Sequence, residues 1–127
     1  MRPSPSRPGP DRRRAERAGR WAEAAAALYL NLKLYRIRAR RYRTPVGEID
    51  LVAERFGVTV FVEVKARRAR GDYRAALEAV DRARIVRAAR HYLMRHPALA
   101  ETPLRFDVIF LAPFALPRHV KDAFGAG

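Results

Sequence analysis

The sequence predicts an α/β fold in which a central mixed β-sheet is flanked by helices. Three observations predict it. Two stretches with helical spacing of apolar residues stand on either side of a run in which apolar and charged residues alternate. That run is divided into three strands by the Thr44-Pro45 pair and by a turn around Phe56-Gly57. A last apolar strand follows the second helix, so the order is helix, three strands, helix, strand. Such an order gathers the strands into one sheet with the helices outside.

The elements follow in turn. Residues 1–10 are rich in Pro, Ser and Gly and read as a disordered tail, leaving 11–127 as a single domain. Asp11 to Lys33 has no internal proline, and Ala18, Trp21, Ala25, Leu28 and Leu32 recur at helical spacing, which predicts one long helix with those residues facing inward. Trp21 and Tyr29 are expected in the core. Tyr35 to Tyr42 alternates apolar and basic residues and predicts a half-buried strand. Gly47 to Ala53 is a second strand, Glu54 to Gly57 a turn, and Val58 to Ala66 a third strand rich in β-branched residues. Arg67 to Gly71 is a basic loop. Asp72 to Arg95 reads as one helical region ended by His96-Pro97. Leu104 to Ala112 is a buried strand, and the tail allows a short edge strand and a turn of helix over Val120 to Phe124. Asp107, in the last long strand, is either buried against an arginine or an edge residue.

Composition narrows the partners. Lys and Arg number 27 against 13 acidic residues, a net charge of +14. Arginine usage biased by genome composition normally brings glutamate with it, and here the acids do not keep pace. The excess points to a polyanion, and to nucleic acid before an anionic membrane surface. No apolar run reaches the roughly 18–20 residues that span a bilayer, and the N-terminus has no apolar signal core. With no cysteine in the chain, disulfides and thiolate metal sites are excluded, and a cytoplasmic location is the expectation.

The central hairpin carries the chemistry. In the second strand Ile49, Leu51 and Ala53 share one face, with Glu48, Asp50 and Val52 on the other. In the third, Val60, Val62 and Val64 oppose Phe61, Glu63 and Lys65. Counting outward from Phe56-Gly57 sets Asp50 opposite Glu63 and Glu48 opposite Lys65, and a four-residue loop over Arg55 to Val58 keeps that register. Carboxylates directly opposite one another repel. A hard cation such as Mg²⁺ would relieve them, taking Asp50, Glu63 and a neighbouring backbone carbonyl, that of Val64, as oxygen donors. The alternative is a solvated cross-strand charge lattice. Against it, central strands are normally covered on both faces, and Phe61 and Val52 share the acidic face.

Gly47-Glu48-Ile49-Asp50, a short spacer and Phe61-Val62-Glu63-Val64-Lys65 resemble the PD-(D/E)xK nuclease motif. The whole chain is similar to the YraN family of restriction-endonuclease-like proteins. The resemblance runs through Gly19-Arg20-Trp21-Ala22-Glu23, Lys33 to Ile37, Gly47 to Ala53, Phe61 to Lys65, Arg105 to Ile109 and Lys121 to Phe124, in order, over about residues 15 to 124. It implies a restriction-endonuclease-like αβββαβ core. It implies Asp50 and Glu63 as metal ligands, Lys65 as the residue that orients or activates water, and Glu23 as a further acid beside the metal. The YraN family has no settled activity of its own, and the nuclease role comes from the wider superfamily. Ala22 stands where that family usually has Gly, and Arg41 where Asn is common. Val80 to Ile85 is shorter than usual and lacks the typical lysine.

The expectation is therefore a Mg²⁺- or Mn²⁺-dependent endonuclease acting on DNA, with branched or damaged DNA as candidate substrates. Arg67, Arg68 and Arg70 would contact backbone phosphates, with Arg82 or Arg84 in place of the missing lysine. Glu48 is a secondary acid. A resolvase-like task would favour a two-fold homodimer. The competing expectation is a nucleic-acid-binding protein that keeps the fold without turnover.

Overall fold

The computed structural model describes residues 10–67 and 73–126, with side chains from residue 19 onward. Helix α1 spans Pro10–Leu32, followed by strands β1 (Arg36–Thr44), β2 (Gly47–Arg55) and β3 (Val58–Ala66). Helices α2 (Tyr73–Glu78) and α3 (Arg82–Met94), a short 3₁₀ turn (Pro97–Leu99), β4 (Leu104–Leu111) and β5 (Arg118–Phe124) complete the chain. The five strands form one mixed sheet in the order β1-β2-β3-β4-β5. All neighbours are antiparallel except β3 and β4, which are parallel and joined by the connection that contains α2 and α3. The expected α/β architecture with a mixed sheet is present. Among the described residues no helix is long and apolar enough to cross a membrane.

Each face of the sheet has its own core. Leu51, Ala53, Val60, Val62, Ile109 and Leu111 pack against Ala22, Ala26, Ala27 and Leu30 of α1. Val52, Phe61, Phe106, Val108 and Phe110 pack against Ile85, Val86, Ala89 and Tyr92 of α3. The observed buried face of α1 lies roughly half a turn round the helix from the expected one. Trp21, Leu28 and Leu32 are 50%, 60% and 73% exposed, and the buried face is the alanine row ending in Leu30. Small side chains let the helix lie close on the sheet, and the close approach sinks Glu23 into the interior. Spacing alone cannot distinguish a row of alanines from a row of larger apolar residues as the inward face.

α1 ends without a glycine. Leu34 takes a left-handed backbone (φ 70°), with Tyr35 N–H donating to Leu30 O at 2.9 Å and Leu34 N–H to Asn31 O at 3.0 Å. This is the paired closure usually built on Gly. The β2–β3 connection is a two-residue turn with positive φ at both Phe56 (52°) and Gly57 (79°), the turn type whose twist matches the flanking strands. The expected single helix over residues 72–95 is instead two. The chain breaks before Asp81, whose carboxylate accepts a hydrogen bond from Arg84 N–H and caps α3. Val120 to Phe124 is strand and not helix, because its backbone pairs with β4 from Phe110↔Arg118 to Phe106↔Phe124.

Candidate active site

The β2–β3 ladder pairs from Arg55↔Val58 to Leu51↔Val62. Continued one step further, the same register would set Asp50 against Glu63 and then Glu48 toward Lys65, but the ladder ends at Leu51↔Val62. At that step the ladder gives way. Val64 N–H donates to Asp50 Oδ2 at 2.8 Å, so a side chain takes the place of a β2 carbonyl. β2 meanwhile stays paired with β1, with Arg40 opposite Leu51 and Tyr42 opposite Ile49. Arg41, which faces Asp50 between them, has φ 49°. A left-handed residue in a strand twists it locally. Ile49 accordingly packs with Val52 on the α3 side, while Leu51 stays on the α1 side. The expected strict alternation of Ile49, Leu51 and Ala53 thus fails at Asp50. Asn tolerates this backbone far better than Arg.

The twist leaves Asp50 at the opened end of the sheet, where it lines two clefts. One, of about 400 Å³, lies on the α1 side and is walled by Gly19, Arg20, Glu23, Arg41, Arg43, Glu48 and Val64. The other, of about 330 Å³, lies on the α3 side with Glu48, Glu63, Lys65, Asp81, Arg84 and Ile85. Asp50, Glu63 and Lys65 are therefore brought together, and Glu23 shares a cleft with Asp50.

The electrostatics are unbalanced. Burial and then the facing Glu63 push the Asp50 carboxyl up to about 7, against the opposing pull of the Val64 N–H and Lys65. Lys65 Nζ lies 3.2 Å from Glu63 Oε1, so part of the countercharge is already supplied. Glu23 is tied to Arg41 Nε at 2.7 Å and to Arg40 Nε at 3.4 Å, with its side chain 9% exposed. Glu48 pairs with Arg43 at 3.4 Å on the rim. Within a strand the N–H and C=O of one residue point to the same side, so the Val64 carbonyl faces the gap that its N–H spans. Two carboxylates and a carbonyl are hard oxygen donors, and an under-compensated acid pair of this kind suits a hard divalent cation that keeps several waters. Among the described residues no three His, Cys, Asp or Glu side chains gather as a metal cluster, so Glu23 would act at a distance, through its arginines or through water.

The arginines divide. Arg84 lines the α3-side cleft and packs along Gly47, where an added Cβ would meet Arg84 Cγ at 2.9 Å. Arg67 turns back, donating to Ala66 O at 3.0 Å with its guanidinium 5.6 Å from the centre of the Phe110 ring. Arg82 lies beside Phe124 on the far side of α3. Arg68 and Arg70 lie outside the described residues. Sequence reasoning missed Arg20, Arg40, Arg41 and Arg43 as companions of the acids. The one signal for the last three was the density of arginine along β1, which reads equally well as an edge strand protected by charge.

A sequence model described as "Uncharacterised protein family UPF0102" matches residues 22–111, which include Glu23 and the whole of β1 to β4. A UPF0102 protein of Rhodopseudomonas palustris (strain BisB18) is 51% identical over 124 residues, covering 98% of this chain and 92% of that one. One of Bradyrhizobium sp. (strain BTAi1) is 50% identical over 123 residues, covering 96% and 90%. One of Nitrobacter winogradskyi is 50% identical over 109 residues, covering 86% and 92%. With identity at this level across nearly the full length, the chain belongs to the UPF0102, or YraN, family.

Proposed function

We propose that the protein is a divalent-metal-dependent endonuclease that hydrolyses phosphodiester bonds in DNA. The observation that carries this reading is Asp50. A carboxyl sunk at the end of the sheet, facing Glu63 and satisfied by one backbone N–H, stands in an arginine-rimmed cleft with its charge incompletely matched.

Asp50, Glu63 and the Val64 carbonyl would hold Mg²⁺ or Mn²⁺, which supplies Lewis acidity toward a phosphate and lowers the pKa of bound water. The chain's own groups do the rest. Lys65 Nζ, steered by Glu63, holds the attacking water or a non-bridging phosphate oxygen. Arg84 and Arg43 at the cleft walls anchor phosphates on either side of the scissile bond. Arg41 and Arg40 hold Glu23 on the Asp50 side of the cleft.

The test is purified protein with supercoiled plasmid, single strands and a four-way junction, with Mg²⁺ or Mn²⁺, alongside calorimetry of metal binding. Metal-dependent cleavage that disappears in Asp50→Asn, Glu63→Gln and Lys65→Ala, all of them folded, is the expected result. No cleavage of any substrate together with no metal binding overturns the proposal.

A second reading is a nucleic-acid-binding protein without turnover. It is favoured by the occupation of three of the relevant side chains by ion pairs, Glu23 with two arginines and Glu63 with Lys65. It predicts salt-sensitive DNA binding that Asp50→Ala leaves unchanged.

A further inference from the structure

Helix α3 carries Arg82, Arg84, Arg87 and Arg90, with Arg95 at its C-cap, and contains no acidic residue. Ile85, Val86, Ala88, Ala89 and Tyr92 face the sheet, so Arg84, Arg87, Arg90 and Arg95 are left on the exposed side. Spacings of three and four residues bring like charges beside one another, a repulsion that costs an isolated helix roughly 0.2–0.5 kcal/mol per pair. Among the described residues no ion pair on this face offsets it. Among the described residues the ion pairs of arginine all lie elsewhere, at Arg38, Arg40, Arg41, Arg43 and Arg105. The chain thus neutralises the arginines of its edge strand and leaves those of α3 uncompensated.

The face is continuous with the cleft. Arg84 stands in the cleft wall beside Asp50, Glu63 and Lys65. Arg87 and Arg90 continue outward and, with Arg82 and Phe124, line a groove of about 490 Å³ between α3 and the end of β5. At about 1.5 Å per residue, Arg84 to Arg95 extends roughly 16 Å. A duplex carries one charge per ~1.7 Å of its axis, so a ridge of this length meets phosphates of both strands. The face also lacks any platform for bases. Tyr92 and Phe124 are buried, and His96 is stacked on Tyr92 at 4.0 Å between ring centres. Single strands are held largely by base stacking on exposed aromatic rings, whereas arginine contacts to phosphates position a duplex without reading its sequence. Arginines alone, on a convex helix, suit backbone phosphates.

We propose that the outer face of α3 is a docking surface for the sugar–phosphate backbone of a double-stranded DNA arm leaving the cleft, bound without regard to base sequence. The choice of partner and the direction of the arm rest on the nuclease reading; the binding surface itself does not use the acidic residues.

The test is fluorescence anisotropy with two unrelated 20-base-pair duplexes, a single strand of equal length and polyglutamate, over a range of KCl concentrations. The variants are Arg87→Gln/Arg90→Gln and Arg87→Lys/Arg90→Lys. For the Gln pair, affinity for both duplexes falls about tenfold or more, and the slope of log K against log salt falls by about 1.8, some 0.9 per lost phosphate contact. The Lys pair, which keeps the charge, retains both the affinity and most of the slope. Unchanged duplex affinity in the Gln pair overturns the proposal, as does wild-type preference for the single strand or for polyglutamate. Calorimetry of Mg²⁺ binding on the same Gln variant reads the cleft separately. Mg²⁺ binding that persists while duplex affinity falls supports the docking surface as a separate element. Absence of Mg²⁺ binding and cleavage in the wild type removes the nuclease reading and leaves the α3 result standing.

Discussion

Asp50 and Asp107 are two carboxylates sunk in the same sheet, and the fold treats them in opposite ways. Asp107 is fully buried and accepts from Arg105 Nε and Nη2, each at 2.8 Å, from His119 Nε2 at 2.7 Å and from Asp122 N–H at 3.0 Å. Burial pushes its carboxyl up, but the hydrogen bonds from His119, Arg105 and Asp122 outweigh it and hold the group below its ordinary value. Arg105 is itself held by Tyr35 Oη at 2.7 Å. Asp50 has one N–H and faces another acid, and burial followed by Glu63 drives it up to about 7. The difference teaches that a buried carboxylate with a complete set of donors ties elements together, here β4, β5 and the end of α1. One with an incomplete set, like Asp50, keeps unmatched charge at the opened end of the sheet.

The largest effect that would break this comparison comes from the satisfied acid. Asp107→Ala strands the Arg105 guanidinium and the His119 ring in the interior, and is expected to cost about 3–5 kcal/mol in denaturant unfolding. A loss under ~1 kcal/mol would mean the network is not structural. Next, Asp50→Asn is expected to reduce any Mg²⁺-dependent cleavage by about 100-fold or more, since even residues behind the metal ligands cost 10–100-fold when changed. Retained cleavage would remove Asp50 from the reaction.

The same substitution should act on stability in the opposite direction from Asp107→Ala. Asn still accepts the Val64 N–H and no longer repels Glu63, so Asp50→Asn gains up to ~1 kcal/mol without metal, roughly 4 °C in Tm. The gain depends on pH. The folded chain holds the Asp50 proton up to about pH 7, while the unfolded chain releases it near ~3.9. Between these values the folded state binds the extra proton, so wild-type stability falls as pH rises through that window. Thermal melts in EDTA should therefore come closest at about pH 4, near the unfolded carboxyl value, and increasingly favour Asp50→Asn toward pH 8, where Mg²⁺ raises the wild-type Tm. Identical melts at both pH values would dismiss the strain on Asp50. Asp107 works the other way, contributing stability above its unfolded value that is lost as pH falls through its lower folded one. The smallest effect is at the rim. The Arg43–Glu48 pair is exposed, and Arg43→Ala is expected to change stability by less than ~1 kcal/mol. A larger loss would make that pair part of the framework.

What sequence alone determined was the part that depends on neighbours along the chain. Alternation marked β2 and β3, and the Phe56-Gly57 turn between them fixed the pairing from Arg55↔Val58 to Leu51↔Val62, because a two-residue turn leaves one register. What only the tertiary structure decided depends on groups far apart in sequence. α1 turned its alanines and Glu23 inward because the sheet admits a close approach there, and the helical period could not choose between two apolar rows. The partners of Asp107 are themselves held by residues far along the chain, Arg105 by Tyr35 at a separation of 70 positions and His119 by Tyr29 at 90. Whether a buried acid is fully or partly satisfied is a property of how distant elements dock, and local periodicity carries no record of it.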